Sequence, residues 1–148
     1  MDEILTDTVP RLMGLDVGDR RIGVAVSDAL GLTAQPVLTL VRSNRKQDLK
    51  SLMRLLRKYG CEAIVVGNPL YMSGDQSPQA AKTQAFAEML REETGLPVHL
   101  WDERLTTTEA HRHLHAAGVA GSEHRGVVDQ VAAVLILQGF LDARRNRG

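Results

Sequence analysis

A short apolar run, Ala63–Val66, constrains the fold of this 148-residue chain more than any other segment. Its sequence is AIVV, it follows a helical pattern, and Gly67, Asn68 and Pro69 come directly after it. Beta-branched residues without polar alternation are typical of a parallel strand that is buried on both faces. The run therefore predicts an α/β protein in which helices cover a sheet.

The remaining strands and helices are predicted on both sides of this run. Residues 12–28 alternate around a turn at Gly18 and Asp19, which predicts a β-hairpin. The other segments are predicted in this order: a third strand at 35–41, a helix at 47–59, a helix from Ser77 and Pro78 to about Thr94, a strand at 98–101, a helix capped by Thr106 or Thr107 and reaching Ala117, a flexible connection at 118–126, and an apolar helix at 127–141. The predicted fold is one α/β domain at 11–142 with a mixed five-stranded sheet, between a flexible lead-in at 1–10 and a basic tail at 143–148.

Charge and composition restrict the function classes. Lys and Arg number 18, as do Asp and Glu, so no net charge indicates a polyanionic partner. Residues 42–58 and the C-terminal ARRNRG are basic, which allows local phosphate binding, although a solvated helix face is the alternative. Aromatic residues make up only 3%, which disfavours an RNA-binding sheet covered with Phe and Tyr.

The sequence also predicts the compartment. Cys61 is the single cysteine, so no internal disulfide is expected, and the acidic N-terminus lacks the apolar core of a signal peptide. The longest apolar run, 131–137, is too short to cross a bilayer. We expect a soluble cytoplasmic protein without a membrane partner.

Acidic residues stand at three places where α/β proteins build sites. Asp16 ends the first strand, Asp102 and Glu103 end the last strand, and Asp129 lies in the first turn of the apolar helix. An isolated buried carboxylate is costly unless a cation compensates it. Acids from distant segments suit Mg²⁺ or Mn²⁺, and a pair of such ions supports phosphodiester hydrolysis. Singly, a turn, an ion pair or the helix dipole would explain each acid equally well.

Other site motifs are weaker or missing. His111 and His115 of the HRHLH segment share one helix face, so a zinc site is a minor alternative. The sequence contains no GxxxxGK[ST], GxGxxG or Gly-x-Ser-x-Gly motif, which disfavours P-loop, Rossmann and α/β-hydrolase sites.

Four segments between Leu12 and Leu141 stand out by their order and spacing: DVGDRRIGVAVSD, IVVGNPLYMSGDQSPQA, WDERLTTTEA and VDQVAAVLILQGFL. Together they resemble the YqgF family of pre-16S rRNA nucleases, also described as Holliday-junction-resolvase-like proteins. The first alone would also suit actin-like ATPases, which need two such domains around a nucleotide. The resemblance implies an RNase H-like fold with a metal-dependent nuclease site.

The resemblance also implies roles for individual residues. Asp16 would bridge two Mg²⁺ or Mn²⁺ ions. Glu103, with Asp102 beside it, and Asp129 would each complete one ion's ligands. Strand alternation lets only one of Asp102 and Glu103 face the metal readily. Two positions depart from the family pattern: Ser73 replaces its usual acid, and Val127 replaces its usual lysine. Substrate phosphates would be positioned by Arg20, Arg21, Asn68, Arg104 and Thr106, with Arg125 substituting for that lysine.

Three functions stay open at this point. The favoured hypothesis is a two-metal nuclease that matures the 5′ end of 16S rRNA, with an RNA precursor and the ribosome or its maturation factors as partners. A Holliday-junction resolvase would instead act on DNA as a homodimer, because a junction is two-fold symmetric. A ribosome- or RNA-binding module would use the acids structurally. The sequence does not decide between monomer and homodimer.

Overall fold

In the computed structural model of this chain, the described residues are 10–105 and 121–146. The predicted helix from Thr106 or Thr107, the histidines His111 and His115, and most of the N-terminal lead-in lie outside these residues. The elements follow in the order β1 (Arg11–Val17), β2 (Arg21–Ser27), β3 (Ala34–Val41), α1 (Arg45–Tyr59), β4 (Cys61–Asn68), α2 (Pro78–Thr94), β5 (Val98–Asp102), a 3-10 turn (Glu103–Leu105) and α3 (Gly121–Asn146).

The five strands form one mixed sheet in the order β3-β2-β1-β4-β5. β2 runs antiparallel to both β1 and β3, whereas β4 runs parallel to both β1 and β5. This topology confirms the predicted α/β class and the five-stranded mixed sheet. Because β1, β4 and β5 point the same way, their carboxyl ends meet at one end of the sheet.

Helices cover both faces of the sheet, as the AIVV run of β4 requires. The first face packs against α1 and α2 through a core that includes Met13, Leu15, Leu52, Phe86 and Leu90. The second face packs against α3 through a core that includes Leu12, Val65, Ala133, Ile136 and Leu137. The alternation of β1 sends Met13 and Leu15 to the first face, so Asp16 belongs to the face that α3 covers.

The bounds of α1 and α2 follow from local chemistry. Asn44 caps α1 by accepting a hydrogen bond from the Gln47 backbone, and Gly60 ends it with φ at 64°. Ser77 caps α2, Pro78 is its first residue, and Gly95 ends it with φ at 72°. The prediction for α2 is confirmed at both ends.

The last helix is longer than its sequence pattern indicates. It begins at Gly121 and continues to Asn146, so the prediction of a flexible connection was wrong for residues 121–126. Gly121 and Gly126 lower the intrinsic helix propensity there, but extending an existing helix costs less than starting one. None of the helices in the described part of the chain is long and apolar enough to cross a membrane.

Candidate active site

Asp16 faces α3, and the helix comes unusually close to the sheet beside it. Asp16 pairs in register with Gly23 of β2. A Cβ atom at Gly23 would lie 1.9 Å from the backbone oxygen of Asp129. Only glycine leaves room for this contact, and the contact brings the backbone of Asp129 next to the strand pair that carries Asp16.

Glu103 reaches the same place from β5. The 3-10 turn that follows β5 folds over β4, where a Cβ atom at Gly67 would lie 2.9 Å from Cγ of Glu103. Glu103 is only 9% exposed. A second strand glycine therefore positions a second acid, and Asp16, Glu103 and Asp129 form what we call the acid cluster.

The acid cluster changes the proton affinity of its central member. The pKa of Asp16 is raised well above its ordinary value, first by burial and then by the negative charges of Glu103 and Asp129. A hydrogen bond between the carboxyl groups of Asp16 and Glu103 raises it further. The Asp16 carboxylate is thus costly to ionise unless a cation balances the charge.

Arg21 supplies part of that positive charge. Its Nε donates to Oδ2 of Asp129 at 2.9 Å, and both side chains are partly buried. In the described part of the chain, no three acidic, cysteine or histidine side chains converge at metal-ligand spacing. In this arrangement the Asp129 carboxylate is paired with Arg21.

The structure separates the two neighbouring acids at the end of β5. Glu103 lies against Asp16, whereas Asp102 accepts hydrogen bonds from Nε of Arg104 at 2.8 Å and from its backbone N–H at 3.0 Å. These bonds, the side-chain bond foremost, lower the pKa of Asp102 from its ordinary value. The structure brings Asp102 to Arg104 and leaves it out of the acid cluster.

The predicted phosphate-binding residues have varied surroundings. Arg20 is exposed and lines a pocket of about 420 Å³ with Arg42 and Arg45. Asn68 accepts a hydrogen bond from Nε2 of Gln84 at 3.2 Å. Besides its pairing with Asp102, Arg104 donates to the backbone oxygen of Met72 at 3.1 Å. Thr106 and the side chain of Arg125 lie outside the described residues.

Two positioning residues were missed by the sequence analysis. Gly23 and Gly67 lie inside strands and admit Asp129 and Glu103. A glycine within a strand pattern often marks a close backbone approach, so a signal was present. The approaching element could not be identified, because both contacts link residues far apart in sequence.

The donor set of the acid cluster fits a hard divalent cation. Its carboxylates are the ligands that Mg²⁺ and Mn²⁺ prefer, and their mutual repulsion disfavours the cation-free ionised state. A metal ion there would offset the burial and the negative charges that raise the pKa of Asp16, and it would compete with Arg21 for the Asp129 carboxylate.

The chain matches one protein family over most of its length and is similar to relatives that carry one name. Residues 10–143 match the protein family described as RuvX: Holliday junction resolvase. A protein of Moorella thermoacetica is 52% identical over 93% of this chain and 99% of its own length. One from Clostridioides difficile is 47% identical over 92% of this chain and 96% of its own length. Both carry the name "Putative pre-16S rRNA nuclease".

Two solved structures share the fold at low sequence identity. The chain is similar to RuvC of T. thermophilus in complex with a Holliday junction substrate, with a TM-score of 0.58, 16% identity, and coverage of 93% of this chain and 97% of RuvC. It is also similar to a Fowlpox virus resolvase solved with Holliday junction DNA, with a TM-score of 0.51, 11% identity, and coverage of 90% and 98%. These similarities show the RNase H-like fold expected from the sequence.

Proposed function

Since the chain belongs to the RuvX family of Holliday junction resolvases, we propose that it is a nuclease that hydrolyses phosphodiester bonds at the acid cluster. The observation that carries the proposal is the position of Asp16, a partly buried residue whose carboxyl group lies beside those of Glu103 and Asp129. A cluster of like charges is unfavourable for stability alone, and perturbed carboxyl groups are typical of functional sites.

Two divalent ions, Mg²⁺ or Mn²⁺, complete this proposal. When bound, they supply Lewis acidity and an activated water for attack on phosphorus. Asp16 interacts with both other acids and would contact both ions, while Glu103 and Asp129 would each bind one. Glu103 is buried while Asp16 and Asp129 are partly buried, which would keep the carboxylates oriented and leave them open to a substrate.

The arginines beside the cluster would bind the substrate backbone. Arg21 becomes available when Asp129 turns to an ion, and a guanidinium group pairs well with phosphate oxygens. Arg104 is held by Asp102 and the Met72 carbonyl at the rim. We assign Arg21 to the phosphate at the reacting centre and Arg104 to a neighbouring phosphate.

The favoured substrate is a precursor of 16S rRNA, cut at its 5′ end in the cytoplasm. The names of the relatives support this choice, and the balanced charge of the chain suits a small RNA end better than long duplex arms. The ribosome or its maturation factors would then be the partners.

Junction cleavage is the second candidate, because the family description and two structural relatives name Holliday junctions. It requires a dimer whose two acid clusters face the two-fold axis of the junction.

A cleavage assay tests the proposal. A 16S precursor RNA, a single-stranded DNA and a four-way junction are each incubated with Mg²⁺, Mn²⁺ or chelator. We expect metal-dependent cutting of the RNA by the wild type, and losses of about a thousandfold or more in Asp16→Asn and Glu103→Gln. Asp102→Asn should lose much less than Glu103→Gln. Glu92→Gln, on the exposed side of α2, serves as the matched control.

The assay also separates the alternatives. Symmetric cutting of the junction with no cutting of RNA would favour the resolvase. Cutting of no substrate by folded protein, or cutting that Asp16→Asn retains, would remove the nuclease proposal and favour a binding module.

A further inference from the structure

A second cavity lies beyond the acid cluster, at the outer edge of β5. It measures about 690 Å³, within the size range of ligand sites. Its walls come from the end of α2, from β5 and from the C-terminal part of α3. We call it the aromatic pocket, and the residues that matter for the argument are Arg91, His99, Trp101, Phe140 and Arg144.

Aromatic rings converge in this pocket although the chain has few of them. The whole sequence contains one Trp, two Tyr and two Phe. Trp101 and Phe140 meet here edge to face at 6.5 Å, and the His99 ring lies 5.1 Å from Phe140. His99 is exposed, so part of the residue is accessible to a ligand although its ring packs on Phe140. The low aromatic content disfavours a sheet surface on which several bases stack, but it is compatible with a single site where one base stacks.

The rings are fixed in place by α3. A Cβ atom at Gly139 would lie 2.9 Å from the Trp101 ring, so the indole packs directly on the helix backbone. The indole N–H is buried and has no hydrogen-bond partner among the described residues. The Trp101 ring is thereby held between the backbone of α3 and the Phe140 ring.

Positive charge accompanies the rings. The guanidinium group of Arg144 lies 5.7 Å from the Phe140 ring centre, and Arg144 has no salt bridge within the described part of the chain. Arg91, on the opposite wall, pairs with Glu88 and donates to the Val98 carbonyl. The acid on the rim, Asp102, is already neutralised by Arg104. An anionic ligand with a flat ring matches this combination.

The pocket and the acid cluster lie on the same face of the sheet. His99 and Trp101 contact α3, the helix that also carries Asp129. Asp129 and Phe140 are separated by about 16 Å along the helix, given a rise of about 1.5 Å per residue. A few nucleotides span that distance, so one strand could occupy both sites.

We propose that the aromatic pocket binds an unpaired nucleobase of the substrate, stacked on His99, with the adjacent phosphate paired to Arg144. This inference rests on the proposed nuclease function, because it takes the same single strand past the acid cluster. A paired base already has its stacking partners, so the pocket selects single-stranded segments near the cut. Stacking on a ring tolerates any base, so little sequence preference is expected.

The single tryptophan gives a direct readout. Trp101 lines the pocket, so its fluorescence reports on binding there without any cleavage. We use full-length Asp16→Asn protein, which leaves the RNA intact, and titrate a short oligouridylate. We expect quenching that His99→Ala weakens by about tenfold, as for the loss of one stacked ring, and that Arg144→Gln also weakens. Arg54→Gln, an exposed arginine on α1 across the sheet, is the matched control.

Several results would overturn the inference. The first is equal quenching by ribose 5-phosphate or by a fully paired duplex. The second is an oligouridylate affinity that His99→Ala and Arg144→Gln leave unchanged. The third is the absence of any quenching. A fluorescence change that follows protein concentration would instead show that the β5 edge pairs with a second copy. Cleavage by the wild type is measured separately. If cleavage occurs without quenching, the nuclease proposal stands and the base pocket falls.

Discussion

At the residue scale, the acid cluster lowers the stability of the metal-free protein while it provides the ligands for a cation. Asp16 carries a pKa well above its ordinary value because its carboxyl group is buried beside two further acids. Sites that bind cations commonly carry such unfavourable charge, and their neutral variants are more stable in the absence of the ligand. The charge of Asp16 and its pH dependence are therefore measurable in the unfolding equilibrium.

The first prediction concerns Asp16→Asn in the presence of chelator. The native pKa lies above the ordinary value of 3.8, so between these two pH values the native state binds more protons than the unfolded state. The stability of the wild type therefore falls as the pH rises through this window, while the contribution of Asn stays constant. We expect the variant to be more stable at neutral pH by on the order of 1 kcal/mol.

Urea unfolding across the pH range checks this expectation. The stability difference between variant and wild type should be small near pH 3.8 and should grow toward neutral pH. A difference that is independent of pH, or a variant that is less stable at neutral pH, would contradict the assignment of the charge to Asp16.

The second prediction concerns Arg21, which competes with a metal ion for Asp129. Arg21→Gln removes the competitor, so its Kd for Mn²⁺ should fall by about two- to fivefold, as a partly exposed ion pair contributes at most about 1 kcal/mol. Cleavage should nevertheless decrease, because a phosphate ligand is lost. Calorimetric Mn²⁺ titration measures the first effect, with Arg54→Gln as control, and unchanged or weaker binding would refute the competition.

The sequence predicts residue chemistry better than residue pairing. Asp16, Glu103 and Asp129 were candidates because acids at strand and helix ends are visible as residue types. The resemblance pointed to Glu103, but the residues alone did not decide between Glu103 and Asp102, since the choice depends on the 3-10 turn that folds over Gly67. An ion pair was considered only as one alternative explanation for each acid. The pairing of Arg21 with Asp129 was not identified, because it joins residues 108 positions apart.

At the scale of elements, the close docking of α3 on the sheet builds the acid cluster. The contact of Gly23 with the backbone of Asp129 sets the distance between helix and strand. Any side chain at Gly23 must push α3 outward, and Asp129 moves with the helix. The position of α3 therefore determines where one acid of the cluster lies.

The third prediction is that Gly23→Ala damages stability and metal binding together. The added Cβ would lie 1.9 Å from a backbone oxygen, which no side-chain rotation relieves. We expect a loss of about 1–3 kcal/mol in the free energy of unfolding, as for other overpacked cores, and a weaker Mn²⁺ affinity. Denaturant titration and calorimetry measure the two effects.

Gly95→Ala is the control for that experiment. Gly95 has φ at 72° with open space around it, at the end of α2. Alanine there should cost stability through backbone strain while the Mn²⁺ affinity stays unchanged. Equal Mn²⁺ affinity in Gly23→Ala and the wild type would show that the docking distance does not control the site.

Element types and bounds were predictable where local chemistry fixes them. Ser77 with Pro78 and Gly95 define both ends of α2 within the chain itself. The start of α3 was not predictable, since Gly121 and Gly126 indicate a loop while the adjoining docked helix favours continuation. Local rules fail where a neighbouring packed segment supplies the stabilisation.

At the scale of the whole molecule, metal binding at the acid cluster should also stabilise the opposite end of the sheet. Cys61 begins β4, while the cluster lies at the carboxyl ends of the strands. Burial raises the pKa of the Cys61 thiol to about 11, so it stays protonated and shielded at neutral pH. Because the pKa of the Cys61 thiol is higher in the native protein than in the unfolded protein, ionisation of the thiol lowers the stability of the fold only above pH 9.0, the ordinary pKa of a cysteine.

The fourth prediction uses this thiol as a probe of global opening. Labelling of Cys61 by an aromatic disulfide reagent should be slow in the native protein and slower with millimolar Mn²⁺, because a ligand of the native state alone raises its stability. The labelling rate at neutral pH is the measurement. Asp16→Asn is the control that should show little Mn²⁺ effect, and an equal slowing in both proteins would place the ion elsewhere.

The fold as a whole was predictable for a simple reason. The AIVV run needs helices on both sides, and the early hairpin adds antiparallel strands, so few topologies remain. The aromatic pocket was not predictable, because His99, Trp101 and Phe140 become neighbours only when α3 lies across β5. Sequence patterns report burial and element type, whereas a pocket depends on contacts across the sheet.

The distribution of the acid cluster along the chain has a consequence during protein synthesis. Asp16 is made early, Glu103 late, and Asp129 only with the last helix, whose docking brings it to the other two. Until α3 has been made and has docked on the sheet, the chain lacks a complete acid cluster. If the cluster is the nuclease site that we propose, a partly synthesised chain is inactive, and the site is assembled only when α3 folds onto the strands.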